Sequence, residues 1–364
     1  MLSEHAKWMK AALALAKRGL GKVAPNPAVG CLLVKDGVVI GRGWTQQGGR
    51  PHAETEALAM AGTSSRGATA YVTLEPCAHH GETPPCAEAL IKAQVAKVII
   101  AVQDPDPRVA GRGVSMLQAA GISVEQNILK DQALALNAGF FNRVTKQRPF
   151  FTLKSASSID GRIATSSGDS QWITGPEARR YGHMLRAQHD AIVVGINTVL
   201  ADNPALDCRL EGLENFSPVP VVLDSNLRIP IASQLLMNAF ERPPIIICNE
   251  SLKNSVKAND IINTGAKLIF VPDVHDVENT SKCLAKLGFN RVLVEGGGQV
   301  LASFLGHNFC DQLLVFVGSK VIGGDGLPAV GKLGLAHLAD TPHLTLKAIR
   351  KIGADLLATY VNAE

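Results

Sequence analysis

Glu75-Pro76-Cys77-Ala78-His79-His80-Gly81-Glu82-Thr83-Pro84-Pro85-Cys86, preceded by His52-Ala53-Glu54, decides how this chain is read. Together the two stretches supply three ligands of the kind zinc prefers, His52, Cys77 and Cys86, and one carboxylate that ligation does not need. Structural zinc sites are closed by four protein ligands, whereas catalytic sites keep one position open for water. Glu54, separated from the histidine by a single residue, is spaced to face that open position. A structural site would need a fourth ligand, for which His79 or His80 is available.

Working outward, the pattern is that of an α/β layer structure. Apolar groups recur at helical spacing over 5–18. Residues 29–34 and 38–42 flank Lys35-Asp36-Gly37, a hairpin with the Asp-Gly turn signal. A helix over 54–61 begins at the metal histidine, and a strand over 69–74 ends where Glu75-Pro76-Cys77 turns out of it. Pro84-Pro85 opens a second helix, 86–94. A strand at 98–102, a helix at 113–120, a strand at 122–125 and one helix over 131–143 follow. Each zinc segment thus lies at a helix start, where backbone N–H groups and the helix dipole favour ionised thiols. His-x-Glu followed by Pro-Cys and a second Cys is the pattern of zinc deaminases, in which the glutamate moves protons.

At 364 residues two domains are the default, and 46% hydrophobic residues suffice for a core in each. With 36 basic and 32 acidic residues the net charge is only +4, and no basic stripe marks a nucleic-acid binder. Seven irregularly spaced cysteines argue against a secreted disulfide framework. The opening 4–10 is too charged for a signal peptide, and the apolar stretch 11–16 is too short to span a membrane. These features describe a cytoplasmic enzyme.

The polar stretch 145–149, ending in Pro149, marks a boundary, with domains expected at 1–146 and 147–364. Beyond it, strands are expected at 150–154, 191–194, 219–223, 245–248, 267–271 and 291–294, with a helix at 176–188 and final strands at 312–317 and 355–361. There is no Gly-x-Gly-x-x-Gly after the first strand of either half, so a standard Rossmann site is not supported. Instead Glu295-Gly296-Gly297-Gly298-Gln299 leaves a strand for a helix, a turn where bare backbone can approach a pyrophosphate, or simply pack tightly.

Pro25-Asn26-Pro27-Ala28-Val29-Gly30, the His52 motif and the 75–86 stretch resemble the RibD family of bifunctional riboflavin-biosynthesis proteins. Eight residues separate the two cysteines, where other zinc deaminases usually have two. The segment 104–113 fits the same family, although Asp106 stands where Asn is usual and Glu82 where Arg or Lys is common. Glu82 puts a basic substrate contact from this loop in doubt; a solvated loop residue is the plainer account. In the second half, 155–162, 170–174, 186–192, 195–206 and Glu295-Gly296-Gly297 resemble the family's reductase domain.

The resemblance implies a cytidine-deaminase-like α/β/α layer domain followed by a dihydrofolate-reductase-like α/β domain. It implies one Zn2+ per chain, held by His52, Cys77 and Cys86, with Glu54 as proton carrier, and NADPH as hydride donor. Ala156, Trp172, Thr198, Asp202, Ser225 and Gly297, Gly298, Gln299, Val300, Leu301, Ala302 and Ser303 would contact NADPH. Asn26, Ser170, Arg186, Leu206, Arg209 and Glu295 would hold substrate, the two arginines offering forked donors to a 5′-phosphate. Bland accounts stand beside several of these. Asn26 sits in a turn between prolines, Arg209 reads equally as a surface residue, Trp172 as a core plug, and Asp160-Gly161 as an ordinary turn. The implied partners are small phosphoribosylaminopyrimidines, neither nucleic acid nor membrane, and a second copy in a homodimer or larger homo-oligomer. The implied reactions are zinc-dependent deamination and NADPH-dependent reduction of a ribosyl to a ribityl chain. The rivals are a nucleoside or nucleic-acid deaminase with an accessory domain, and a zinc-stabilised regulatory protein. The cysteine spacing and the spare Glu54 weigh against them.

Overall fold

The computed structural model describes residues 3–81, 84–107 and 109–362. Glu82, the acid noted in the cysteine loop, lies outside the described residues. The chain divides into two compact units, one ending at Arg148 and one beginning at Pro149.

In the first unit α1 (Glu4–Ala16) precedes a hairpin of β1 (Gly30–Lys35) and β2 (Val38–Trp44). Asp36 and Gly37 close it at φ of 51° and 75°, the left-handed pair that a tight hairpin turn needs. Then come α2 (Ala53–Ala61), β3 (Thr69–Val72), α3 (Cys86–Lys92), β4 (Lys97–Ile100), α4 (Arg112–Ala119) and β5 (Ser123–Glu125). The sheet runs β2-β1-β3-β4-β5, with β1 antiparallel to both neighbours and β3, β4 and β5 parallel. Parallel neighbours require crossovers, which α3 and α4 provide. Gly43 on β2 is what lets the metal helix sit on the sheet. A Cβ there would meet the Ala53 carbonyl oxygen at 2.2 Å, so any other residue would push α2, and His52 with it, off the strand.

The expected single helix over 131–143 is instead two, α5 (Lys130–Leu136) and α6 (Ala138–Lys146), interrupted at Asn137. The Asn137 side chain is buried and clamps Ala28, accepting from its N–H and donating to its carbonyl, both at 2.9 Å. The break therefore ties the end of the unit to the loop before β1. Asn137→Ala leaves both Ala28 groups unpaired, at about 1–3 kcal/mol for each buried group. The expected result in denaturant titration is a lower midpoint for the first unit with an unchanged slope.

The second unit begins with β6 (Phe150–Ser157), β7 (Arg162–Ala164), α7 (Pro176–Ala187), β8 (Ala191–Gly195), α8 (Ile196–Asp202) and β9 (Val219–Leu223). It continues through α9 (Gln234–Met237), β10 (Ile245–Asn249), α10 (Val256–Asn263), β11 (Lys267–Val271), α11 (Val277–Lys286), β12 (Arg291–Val294) and α12 (Gly298–Gly306). β13 (Gln312–Val317), β14 (Leu327–Pro328), β15 (Leu344–Ile352) and β16 (Asp355–Asn362) end the chain. The nine-stranded sheet has the order β11-β10-β9-β8-β12-β6-β13-β16-β15 and is parallel from β11 to β13. Both faces are covered: Ile192 and Val194 of β8 enter one core cluster, Ala191 and Val193 the other. From β6 the chain skips a place to β8, moves outward to β11, then returns to insert β12 in the gap. Open α/β sheets bind ligands where the strand order reverses in this way, outside the carboxyl ends. Among the described residues no helix is long and apolar enough to cross a membrane.

Candidate active sites

In the first unit His52 is the N-cap residue of α2 and Cys86 the first residue of α3, while Cys77 follows the turn out of β3. The three come together: His52 Nδ1 lies 3.3 Å from Cys86 Sγ and 3.7 Å from Cys77 Sγ. Donors bound tetrahedrally to one zinc at normal bond lengths lie about 3.5 Å apart. The cluster therefore fits a zinc ion without rearrangement. Cys77 Sγ also accepts the Cys86 backbone N–H at 3.3 Å, the helix-start donor expected beside a thiolate. The Cys86 thiol and the His52 ring hydrogen-bond to Cys77 and lower its pKa, while Cys86 itself is raised by that same bond and by burial. One thiol is thus poised as the anion that a metal needs.

Neither His79 nor His80 joins the cluster among the described residues. His80 is exposed and pairs with Glu88 at 3.6 Å. Three ligands among the described residues is the composition of a catalytic site. Glu54, only 3% exposed, is raised to about 7 by burial and then by the Cys77 thiolate. A carboxylate with that proton affinity both takes and gives a proton near neutrality. Asn26 donates to the Gly49 carbonyl at 2.9 Å, bracing the turn just before His52.

Sequence reasoning assigned no role to Glu75. Its buried carboxylate accepts the N–H groups of Asp104, Gly111 and Val114, fixing the turn that carries Cys77 to the loop after β4 and to α4. A carboxylate closing an apolar strand was the available signal.

In the second unit the carboxyl ends of β6, β8 and β12 carry the chemistry. β12 gives Glu295, β6 gives Lys154 beside it, and α7 brings Arg186. Arg186 grips Glu295 with two parallel bonds, Nε to Oε1 and Nη2 to Oε2, both 3.0 Å, and Lys154 Nζ stands 3.7 Å from Oε2. Burial would raise the Glu295 pKa, but the Arg186 and Lys154 cations bring it down to about 2. Arg186 also donates to the Asp207 carbonyl at 2.9 Å. Among the described residues these bonds use three of its five N–H donors. Arg209 is exposed, with Nε 3.4 Å from the Asp207 carboxylate. Lys154 was overlooked in the sequence, although a lone lysine inside an apolar strand is itself a signal.

The helices α8 and α12 begin side by side, because β8 and β12 are hydrogen-bonded neighbours. Thr198 Oγ1 would lie 3.9 Å from a Cβ on Gly297, so the two starts converge. A Cβ on Gly298 would strike the Pro328 carbonyl at 2.7 Å, whereas one on Gly297 would meet only Thr198 Oγ1, at an ordinary contact distance of 3.9 Å. Packing thus explains Gly298, whereas no clash requires glycine at 297. This paired set of helix N-termini fits the pyrophosphate of a dinucleotide such as NADPH. Asp202 is one turn beyond Thr198 on the same face of α8. Ala156 lies on β6, and Ser225 follows β9. Val300 packs against Gly195 and Gly296, Ser303 is half-buried, and Leu301 and Ala302 turn their side chains into the core. Gln299 is exposed and accepts from Asn197 at 3.4 Å. Leu206 is buried at φ 53°. Ser170 lies in the loop between β7 and α7, as does Trp172. At 56% exposed, Trp172 is no core plug; its ring is covered instead by the Arg179 guanidinium, 4.5 Å from the centroid. Asp160 is more than a turn residue, because its carboxylate accepts from Ser158 Oγ and from the Ile322 and Gly323 N–H groups.

Comparison with known proteins agrees with both halves. The cytidine and deoxycytidylate deaminase zinc-binding region matches residues 2–102, and the RibD C-terminal domain matches 149–358. The riboflavin biosynthesis protein RibD of Escherichia coli is 40% identical over 98% of this chain and 99% of its own. That of Aquifex aeolicus is 39% identical over 97% of each. The chain belongs to the RibD family. The structure of Acinetobacter baumannii RibD superposes with a TM-score of 0.91 at 36% identity, each chain covered completely. Like other RibD proteins, this one is a bifunctional deaminase and reductase of riboflavin biosynthesis. Its first unit is cytidine-deaminase-like, its second dihydrofolate-reductase-like, and its cofactors are zinc and NADPH.

Proposed function

We propose that residues 1–146 remove the C2 amino group of 2,5-diamino-6-(5-phosphoribosylamino)pyrimidin-4-one, and that residues 147–364 reduce the ribosyl chain of the product to ribityl phosphate. The observation that carries the first step is a three-donor cluster with a fully buried, near-neutral carboxyl beside it. A Thermotoga maritima protein 34% identical over 99% of both chains is described as a diaminohydroxyphosphoribosylaminopyrimidine deaminase and 5-amino-6-(5-phosphoribosylamino)uracil reductase, which supports both substrates.

His52, Cys77 and Cys86 hold the zinc. Bound there, zinc would act as a Lewis acid, lowering the pKa of water toward neutrality. Glu54 accepts a proton from the attacking water and returns it to the departing amine, so that water and the amino carbon yield a carbonyl and ammonia. Asn26 reads the pyrimidine edge.

In the reductase, NADPH supplies the hydride to the sugar C1. Ala156, Trp172, Thr198, Asp202, Ser225, residues 297–300 and Ser303 hold the cofactor, in part through the bare N-termini of α8 and α12, with Leu301 and Ala302 supporting that segment from the core. Ser170, Arg186, Leu206, Arg209 and Glu295 hold the substrate. The Glu295–Arg186 pair presents a fixed arrangement to the sugar phosphate, which lowers the cost of ordering it on binding. The enzyme works in the cytoplasm on small molecules, not nucleic acid, as a homodimer or larger assembly.

Metal removal tests this division of labour. Dialysis against a chelator is expected to abolish ammonia release, with recovery on adding zinc, while NADPH oxidation with deaminated substrate continues. Ammonia release by metal-free protein would overturn the deaminase assignment.

A further inference from the structure

A phosphorylated substrate brings nearly two negative charges to the deaminase cluster. The surroundings are already acidic: Glu54, Glu75 and Asp104 are all buried there. The loop between Cys77 and Cys86 contains no Lys or Arg. A cation from elsewhere in the fold would offset that charge.

Arg50 is placed to do so. It lies two residues before His52, the N-cap of the metal helix. Its half-buried side chain crosses to the cysteine loop, where Nη2 would lie 3.3 Å from a Cβ on Gly81. Its positive field is felt at His52. One end is thus anchored beside His52, and the other stands against Gly81 in the loop between the two cysteines. Five N–H donors let a single guanidinium brace that loop and also fork onto a phosphate.

We propose that Arg50 binds the substrate phosphate in the deaminase half and sets its preference for phosphorylated over dephosphorylated aminopyrimidine. The proposal rests on the deaminase reading above. Arg50→Ala is expected to raise KM for the phosphorylated substrate by about 10- to 100-fold, the loss of charge-assisted hydrogen bonds, with little change in kcat. The dephosphorylated analogue should change less than twofold, so the variant loses the preference. Arg50→Lys, a point charge without the fork, should fall between. Zinc content and NADPH oxidation monitor folding.

Should the alanine variant lose zinc, inorganic phosphate provides the test. It should inhibit wild-type ammonia release competitively, and less so in Arg50→Lys. Equal losses on both substrates, unchanged KM, or equal phosphate inhibition of wild type and the lysine variant would overturn the proposal. Failure of the wild-type protein to deaminate the phosphorylated pyrimidine would instead overturn the deaminase reading itself.

Discussion

Glu54→Gln is expected to cut ammonia release by about 10²- to 10⁴-fold while leaving zinc content unchanged. Glutamine has the size of glutamate and fills the same buried position, so neither the packing of α2 nor the three-donor cluster is disturbed. What it lacks is a group that can gain and lose a proton near neutrality. The wild-type carboxyl is held near neutrality by burial and by the Cys77 thiolate, so it can both accept and donate; an amide can do neither at useful rates. NADPH oxidation with deaminated substrate should be unaffected, because the reductase machinery lies in the other unit. The measurement pairs metal analysis with separate assays of ammonia release and NADPH consumption. Deamination at the wild-type rate would remove Glu54 from proton transfer.

The contrast between Glu54 and Glu75 marks what the sequence can reveal. Glu54 was legible because its role follows from local chemistry: a carboxylate beside a metal histidine at a helix start. Glu75 works through backbone N–H groups at 104, 111 and 114, and nothing in the side chains at those positions announces it. Asn137 is similar, since its clamp on Ala28 spans 109 residues and outweighs the helical periodicity that favoured one continuous helix. β15 was missed for a different reason. It is an edge strand, mostly exposed, and its register shifts between Leu346 and Ala348, so the alternation that identifies a half-buried strand is broken. The buried parallel strands were legible because both faces are apolar. In the reductase the glycine turn was visible, but the difference between its glycines was not: Gly298 is required by the Pro328 carbonyl, and a Cβ on Gly297 would meet nothing closer than Thr198 Oγ1.

The largest effect on stability is expected from Glu295→Ala. With side-chain exposures of 10% and 15%, Glu295 and Arg186 are removed from most of the water that would otherwise solvate them. Deleting the carboxylate strands Arg186 with the Asp207 carbonyl as its remaining partner among those described, and leaves Lys154 without its counter-charge. Breaking a buried pair from one side typically costs about 3–5 kcal/mol, a large share of the 5–15 kcal/mol that holds a domain together. The second unit should therefore unfold at a markedly lower denaturant concentration, and NADPH oxidation should fall. Ammonia release serves as the control. The pH dependence gives an independent check. The folded carboxyl sits at about 2, below its ordinary 4.5, so the pair's stabilisation is complete above pH 4.5 and is lost as pH falls toward 2. Wild type should lose stability across that window more steeply than Glu295→Ala, and the two curves should converge at the acid end. Parallel curves would mean that the ion pair, however well formed, contributes nothing net to holding the reductase site in place.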